Sequence, residues 1–134
     1  MGLSLIAYTD GASRGNPGES GIGVSIQDAD GTPIDEIARF IGIATNNVAE
    51  YRAVIAAVSR SKELGVTHLL IRTDSELVAR HLTGQYRVKS PKLRPLYEEA
   101  KDLLGSIPSW EIVSIPREEN READRLANEG IDQR

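Results

Sequence analysis

A chain of 134 residues that is 40% apolar and 27% charged has the composition of a single globular domain spanning 1–134, large enough to bury roughly two-thirds of its unfolded surface. No apolar run approaches the ~20 residues of a membrane span, and Met1-Gly2-Leu3-Ser4 has no basic region of a secretory signal, so the cytoplasm is the expected compartment. Zero cysteines exclude disulfides, thiolate metal sites and cysteine nucleophiles, and a net charge of −4 argues against gripping nucleic acid by bulk charge.

The apolar run from Leu3 to Tyr8 reads as a buried strand, and the residues after it look unable to continue one. Asp10 is therefore expected where a strand hands over to a loop, which is where α/β proteins mount chemistry, although an Asp-Gly turn accounts for it equally simply. Ile22, Val24 and Ile26 alternate with Gly23, Ser25 and Gln27 as in a half-buried strand. Asp30-Gly31 then closes a hairpin into a strand from Ile34 to Ile43. The run from Asp28 to Gly31 is not a calcium loop, because its glycine falls fourth rather than sixth and Arg39 stands where a bidentate glutamate belongs.

Thr45-Asn46-Asn47 opens a helix running to about Leu64, with Gly65 as its stop and Tyr51, Ala53, Val54, Ile55, Ala57, Val58 and Leu64 on the buried arc. Glu50 lies inside that arc, where it is either the far end of a capping box with Asn47 or a metal ligand. His68 to Thr73 is a short strand whose unbroken Leu69-Leu70-Ile71 suggests cover on both faces. Asp74-Ser75 follows as a helix cap or, for Asp74, a site residue; a helical crossover would make this strand parallel to the first and set Asp10 and Asp74 about 4.8 Å apart. Another helix begins at Pro91 or Lys92 and ends at Gly105, Trp110 to Ile115 is the last strand, and a final helix from about Asn120 packs through Ala123, Leu126, Ala127, Gly130 and Ile131. Asp124 borders that face.

Charge is unevenly spread. No acidic residue occurs from Leu77 to Tyr97, whereas Arg80, Arg87, Lys89, Lys92 and Arg94 all fall there, a stretch able to neutralise phosphates along a duplex or simply a solvated surface. The four acids Asp10, Glu50, Asp74 and Asp124 each sit at the rim of the expected core, on one side of it. Two carboxylates ~4 Å apart repel by about 4 kcal/mol at an effective dielectric of 20, so such a cluster calls for cations. Oxygen-only ligands suit Mg²⁺ or Mn²⁺, and a pair of such ions clamps an in-line displacement at phosphorus.

Four stretches, Thr9 to Gly18, Thr45 to Glu50, Thr73-Asp74-Ser75 and Asn120 to Asp124, resemble in order the motifs of the type 1 ribonuclease H family. The resemblance implies a ribonuclease H-like α/β fold, a mixed five-stranded sheet with its first three strands antiparallel, flanked by helices. It implies endonucleolytic hydrolysis of the RNA strand of RNA–DNA hybrids, leaving 5′-phosphate and 3′-hydroxyl ends. By the same resemblance Asp10 bridges two ions, Asp124 completes the water-activating site, and Glu50 with Asp74 holds the ion near the leaving oxygen. Gly11, Ser13, Asn16, Asn46, Asn47 and Ser75 would contact substrate, and Thr45 a DNA phosphate. Such contacts suit an enzyme that must register the 2′-hydroxyl in a shallow minor groove.

Two features depart from that family. Many relatives carry a histidine in the loop before the last acid, where this chain has Pro116-Arg117-Glu118-Glu119; Arg117 or Glu118 is the candidate replacement, and His68 and His81 are read as packing residues. Only Gln85 to Ser90 is expected between the neighbouring helices, so the basic handle of longer relatives is missing, as in the family's short branch. Hybrid binding then rests on the stretch from Arg80 to Arg94 and should be weak and salt-sensitive. The expected form is a monomer; activity on double-stranded RNA is left open. The competing readings are another nuclease on the same fold and a non-catalytic hybrid-binding module.

Overall fold

A computed structural model describes residues 2–134. Strands β1 (Ser4–Gly15), β2 (Gly18–Asp28), β3 (Pro33–Ala44), β4 (His68–Thr73) and β5 (Ser109–Ser114) form one sheet in the order β3-β2-β1-β4-β5. Helices α1 (Asn46–Glu63), α2 (Glu76–Leu82), α3 (Arg94–Leu104) and α4 (Arg121–Asp132) flank it. The first three strands pair antiparallel, while β4 runs parallel to β1 and β5 parallel to β4. The mixed sheet expected from the sequence is present.

The first strand does not end before Asp10. It continues to Gly15, paired with β2 from Leu5 opposite Asp28 to Gly15 opposite Gly18. Gly11, Ala12 and Ser13 are poor strand formers, but β2 supplies the backbone partners that hold them extended. On its other side the ladder with β4 stops at Thr9 opposite Thr73, so Asp10 is at a strand end with respect to β4 alone.

Alternation along β1 separates the two faces. Leu5 and Ala7, with Val24, Ile26, Leu69 and Ile71, meet Tyr51, Val54, Ala57 and Val58 of α1 in the main core, which α3 completes through Ala100 and Leu104. The opposite face, including Asp10, carries α4. That helix lies on Gly21 and Gly23, where a Cβ would come within 2.4 Å of the Ala127 carbonyl and 2.1 Å of the Ala123 carbonyl. β2 is thus covered on both faces rather than half-buried, because glycine lets a helix backbone rest on the sheet. β4 corrects the other way: Leu69 and Ile71 are buried but Leu70 is only partly so, since α4 packs over β1, β2 and β3 and leaves β4 uncovered on that side.

The helices otherwise follow their sequence signals. Thr45 caps α1 by accepting the Val48 N–H, and Ser75 caps α2 by accepting the Val78 N–H. α3 begins at Arg94, after a turn over 91–93, with Pro95 in its first turn. The connection between α2 and α3 covers residues 83–93, longer than expected, because α2 ends at Leu82 and Gly84 turns the chain with φ +80. It contains no helix. No helix of the described residues is long and apolar enough to cross a membrane.

Candidate active site

Three elements bring carboxylates together. Asp10 comes from β1 and is 5% exposed, Asp74 follows the last residue of β4, and Glu50 comes from the second turn of α1. One ligand oxygen from each lies within 4.8 Å of the others. Asp124, one turn into α4, lies beside Asp10 in the same cleft but outside the group of three whose oxygens converge.

Glu50 reaches this group because α1 crosses β1 at Gly11. A Cβ there would lie 2.2 Å from the Ala49 carbonyl carbon and 2.4 Å from the Glu50 nitrogen, so only glycine admits the helix. At that crossing the Gly11 N–H donates to the Glu50 carboxylate. The capping box with Asn47 does not form: Thr45 is the cap, and Glu50 turns toward the sheet instead. Asp74 likewise does not cap α2, a role filled by Ser75, and its carboxylate is left facing Asp10 and Glu50.

Crowding of these acids shows in their protonation. Burial, then the proximity of Asp74 and Asp124, push the Asp10 carboxyl up to about 8. Burial, then Asp10 and Asp74, push Glu50 up to about 10, against the opposing pull of the Gly11 N–H. Without cations the cluster holds protons at neutral pH. Oxygen-only, anionic and converging, the donor set fits a hard divalent ion and lacks the nitrogen or sulfur that zinc prefers.

The acids line an open cleft of about 620 Å³ that also contains Gly11, Ser13, Asn46, Asn47 and Ser75. Asn16 stands outside its wall and accepts the Asn46 N–H at 3.0 Å; Thr45 also lies outside it, under the start of α1. The Ser13 hydroxyl donates to the Ala44 carbonyl at 2.9 Å, tying the β1 hairpin to the end of β3. Of the two loop candidates, Arg117 faces the cleft with its guanidinium 3.8 Å from Asp124, whereas Glu118 lines a separate depression beside Tyr8 and Glu36. His81 is buried against the Tyr51 hydroxyl at 2.6 Å and His68 pairs with Ser109, so neither histidine enters the cleft.

Two cleft residues, Arg14 within the first motif and Asn128 beyond the last, carry no role in the reading from sequence. Arg14 shares the Asp10 face of β1 and hydrogen-bonds Asp132 and Asn128 of α4. Asn128 lies four residues after Asp124, on the same side of the helix. Extending β1 to Gly15 would have exposed the first by period two, and the helical spacing of α4 the second.

Comparison with known proteins agrees with this geometry. The model of a family described as reverse transcriptase-like matches residues 8–130. Ribonuclease HI of Halobacterium salinarum is 44% identical over 94% of this chain and 63% of its own. The crystal structure of that archaeon's RNase H1 superposes with a TM-score of 0.95 at 42% identity, covering 98% of this chain and 99% of that one. The chain belongs to the type 1 ribonuclease H family. Within the family, the N-terminal RNase H domain of a Mycobacterium tuberculosis protein superposes with a TM-score of 0.93 at 41% identity, over 96% of this chain and 99% of that one. LC11-RNase H1, solved in complex with an RNA/DNA hybrid, gives 0.92 at 42% identity, over 96% and 97%. The chain spans about two-thirds or less of the curated relatives it matches first, 63% of the halobacterial protein and 36% of the mycobacterial bifunctional protein. It has the short ribonuclease H form, without an inserted helix between α2 and α3.

Proposed function

We propose that this chain is a metal-dependent endonuclease that hydrolyses the RNA strand of RNA–DNA hybrids, leaving 5′-phosphate and 3′-hydroxyl ends. The observation that carries the reading is the convergence of Asp10, Glu50 and Asp74 oxygens within 4.8 Å, with Asp124 beside Asp10, in an open cleft on a ribonuclease H fold. In this reading Asp10, Glu50 and Asp74 hold one divalent ion, Mg²⁺ or Mn²⁺, and Asp10 with Asp124 holds a second. Such ions supply an activated water for in-line attack at phosphorus and neutralise charge on the departing 3′-oxygen.

The remaining roles belong to side chains and backbone. Asn46 and Asn47, exposed at the start of α1, offer short amides to base edges and ribose, and the narrow backbone at Gly11 lets the RNA strand approach Asp10. Ser13 and Ser75 line the same wall, Asn16 supports the start of α1 by accepting the Asn46 N–H, and Thr45 anchors the helix end nearest the DNA strand. Arg117, at the mouth of the cleft beside Asp124, stands where it can steady phosphate or leaving product in place of a loop histidine. Exposed Arg87, Lys89 and Lys92 on the connection after α2 supply phosphate contacts at a distance from the chemistry. Residues 1–134 form one ribonuclease H domain, which acts as a monomer in the cytoplasm.

The test is incubation of an end-labelled RNA–DNA hybrid with and without Mg²⁺ or Mn²⁺, wild type against Asp10→Asn. Internal cuts confined to the RNA, requiring metal and absent in the variant, are expected. Binding of the hybrid without cuts under either metal would identify a binding module instead, and cuts in the DNA strand another nuclease. The same assay with double-stranded RNA decides whether that duplex is also a substrate.

A further inference from the structure

Asn120 precedes the first residue of α4, where an asparagine ordinarily caps the helix with its side-chain oxygen. It makes no such bond here. Its side chain is 1% exposed, its Nδ2 donates to the Thr9 carbonyl at 2.8 Å, and its Oδ1 is buried with no hydrogen-bond partner among the described residues. Giving up a cap and burying an unpaired oxygen are both unfavourable. What the residue provides in return is the bond to Thr9.

That bond has a particular position. Thr9 is the last rung of the parallel ladder with β4 and the residue immediately before Asp10. Asn120's own carbonyl accepts the Asp124 N–H at 3.1 Å. A single residue therefore joins the backbone that carries Asp10 to the backbone that carries Asp124, through one side-chain and one main-chain hydrogen bond. The other hydrogen bonds between β1 and α4, from Arg14 to Asp132 and Asn128, lie further along both elements. Packing seats the rest of α4 elsewhere: its middle rests on Gly21 and Gly23, Gly130 meets the Arg39 backbone, and Arg125 pairs with Glu36 of β3, whereas Asn120 ties the end of the helix nearest Asp124 to the backbone next to Asp10.

We propose that Asn120 is a positioning residue that sets the separation of the Asp10 and Asp124 carboxylates, and so the affinity of the Asp124 side of the cluster for its divalent cation. The proposal rests on the metal-dependent reading above and concerns a residue outside the cation's own ligands.

Two variants test it. Asn120→Ala removes the amide; Asn120→Ser is too short to reach Thr9 but can cap α4, which protects folding. Thermal unfolding of the whole protein is followed during titration with Mn²⁺ alone, without nucleic acid, and the Mg²⁺ dependence of hybrid cleavage is measured in parallel. Both variants should need about tenfold more Mn²⁺ to reach half of the full rise in melting temperature. They should lose about tenfold in kcat at limiting Mg²⁺ while the hybrid KM stays within about twofold. Leu126→Ala, on the packing face of the same helix, is the control: it should lower the melting temperature and leave the Mn²⁺ midpoint where it was. If the Asn120 variants behave like Leu126→Ala, the residue is structural only and the proposal falls; it falls equally if neither variant folds. Asp10→Asn separates the two readings, because wild-type cleavage or an unaltered Mn²⁺ response in that variant overturns the metal-dependent reading itself.

Discussion

Asp10 and Glu50 make opposite demands on the free and the metal-bound protein. Their carboxyls, pushed up to about 8 and about 10, bind protons in the folded chain at pH values where the unfolded chain has lost them. The folded state therefore binds more protons, and stability of the metal-free protein falls as pH rises from about 4 toward about 8. In chelator, the melting temperature should drop across that interval, and Asp10→Asn should raise it at pH 8 by roughly 3 to 6 °C, the shift that about 1 kcal/mol produces in a domain of this size. A flat profile with no gain in the variant would contradict the crowded cluster. His81 works on the acid side: burial holds its pKa below the usual value, so the unfolded chain protonates first and stability is lost as pH falls through the ordinary histidine range. This loss opposes the gain from the acid cluster, so in chelator replacing His81 with leucine should steepen the rise of melting temperature as pH falls from about 7 to 5.5. Gly11 shows how one position serves packing and chemistry together. Gly11→Ala drives a methyl into the α1 backbone, which should cost about 2 to 3 kcal/mol and displace Glu50, read as lowered stability in denaturant titration and lost cleavage.

Elements, rather than residues, decide how the acids meet. β1 delivers Asp10 on the α4 face while the opposite face admits α1 at Gly11, so Glu50 and Asp124 approach from helices on different sides of the sheet. α4 can approach only because β2 has glycine at 21 and 23. Gly23→Ala should lift the helix, lower stability by about 2 kcal/mol or more, and weaken the Mn²⁺-induced rise in melting temperature by moving Asp124 away. The connection after α2 has a different role. Arg80 and Arg94 are engaged with Glu76 and Glu98, which leaves exposed Arg87, Lys89 and Lys92 to meet phosphates. Replacing these three with alanine should reduce the slope of log affinity against log salt by about 2 to 3 while leaving kcat at saturating hybrid nearly unchanged. An unchanged slope would place the duplex elsewhere.

At the scale of the whole molecule, the fold was largely readable in the chain because its elements announce themselves locally. The serine cap of α2, the Asp30-Gly31 hairpin, period-two apolar residues in β2 and the packing face of α4 are interactions between near neighbours, and all are present. The four acids could be named from their motifs for the same reason. What the pattern misjudged depends on contacts far apart in sequence. β1 runs past Asp10 because β2 is there to pair with it, β2 is buried twice because α4 comes to lie on its glycines, and Leu70 stays half-exposed because that helix stops short of β4. Glu50 illustrates the division most plainly. Its spacing from Asn47 is that of a cap, and local chemistry cannot tell a cap from a ligand; the crossing of α1 over Gly11 turns it to the sheet. The choice of Arg117 over Glu118 at the cleft is of the same kind, since adjacent residues in a short 3-10 turn point in different directions. Residue identity and spacing thus specified which groups this chain can offer to a divalent ion and a nucleic acid. Which of them converge was settled by the packing of helices on both faces of the sheet, because carboxylate separation within a few ångströms is a property of backbones brought together across the fold.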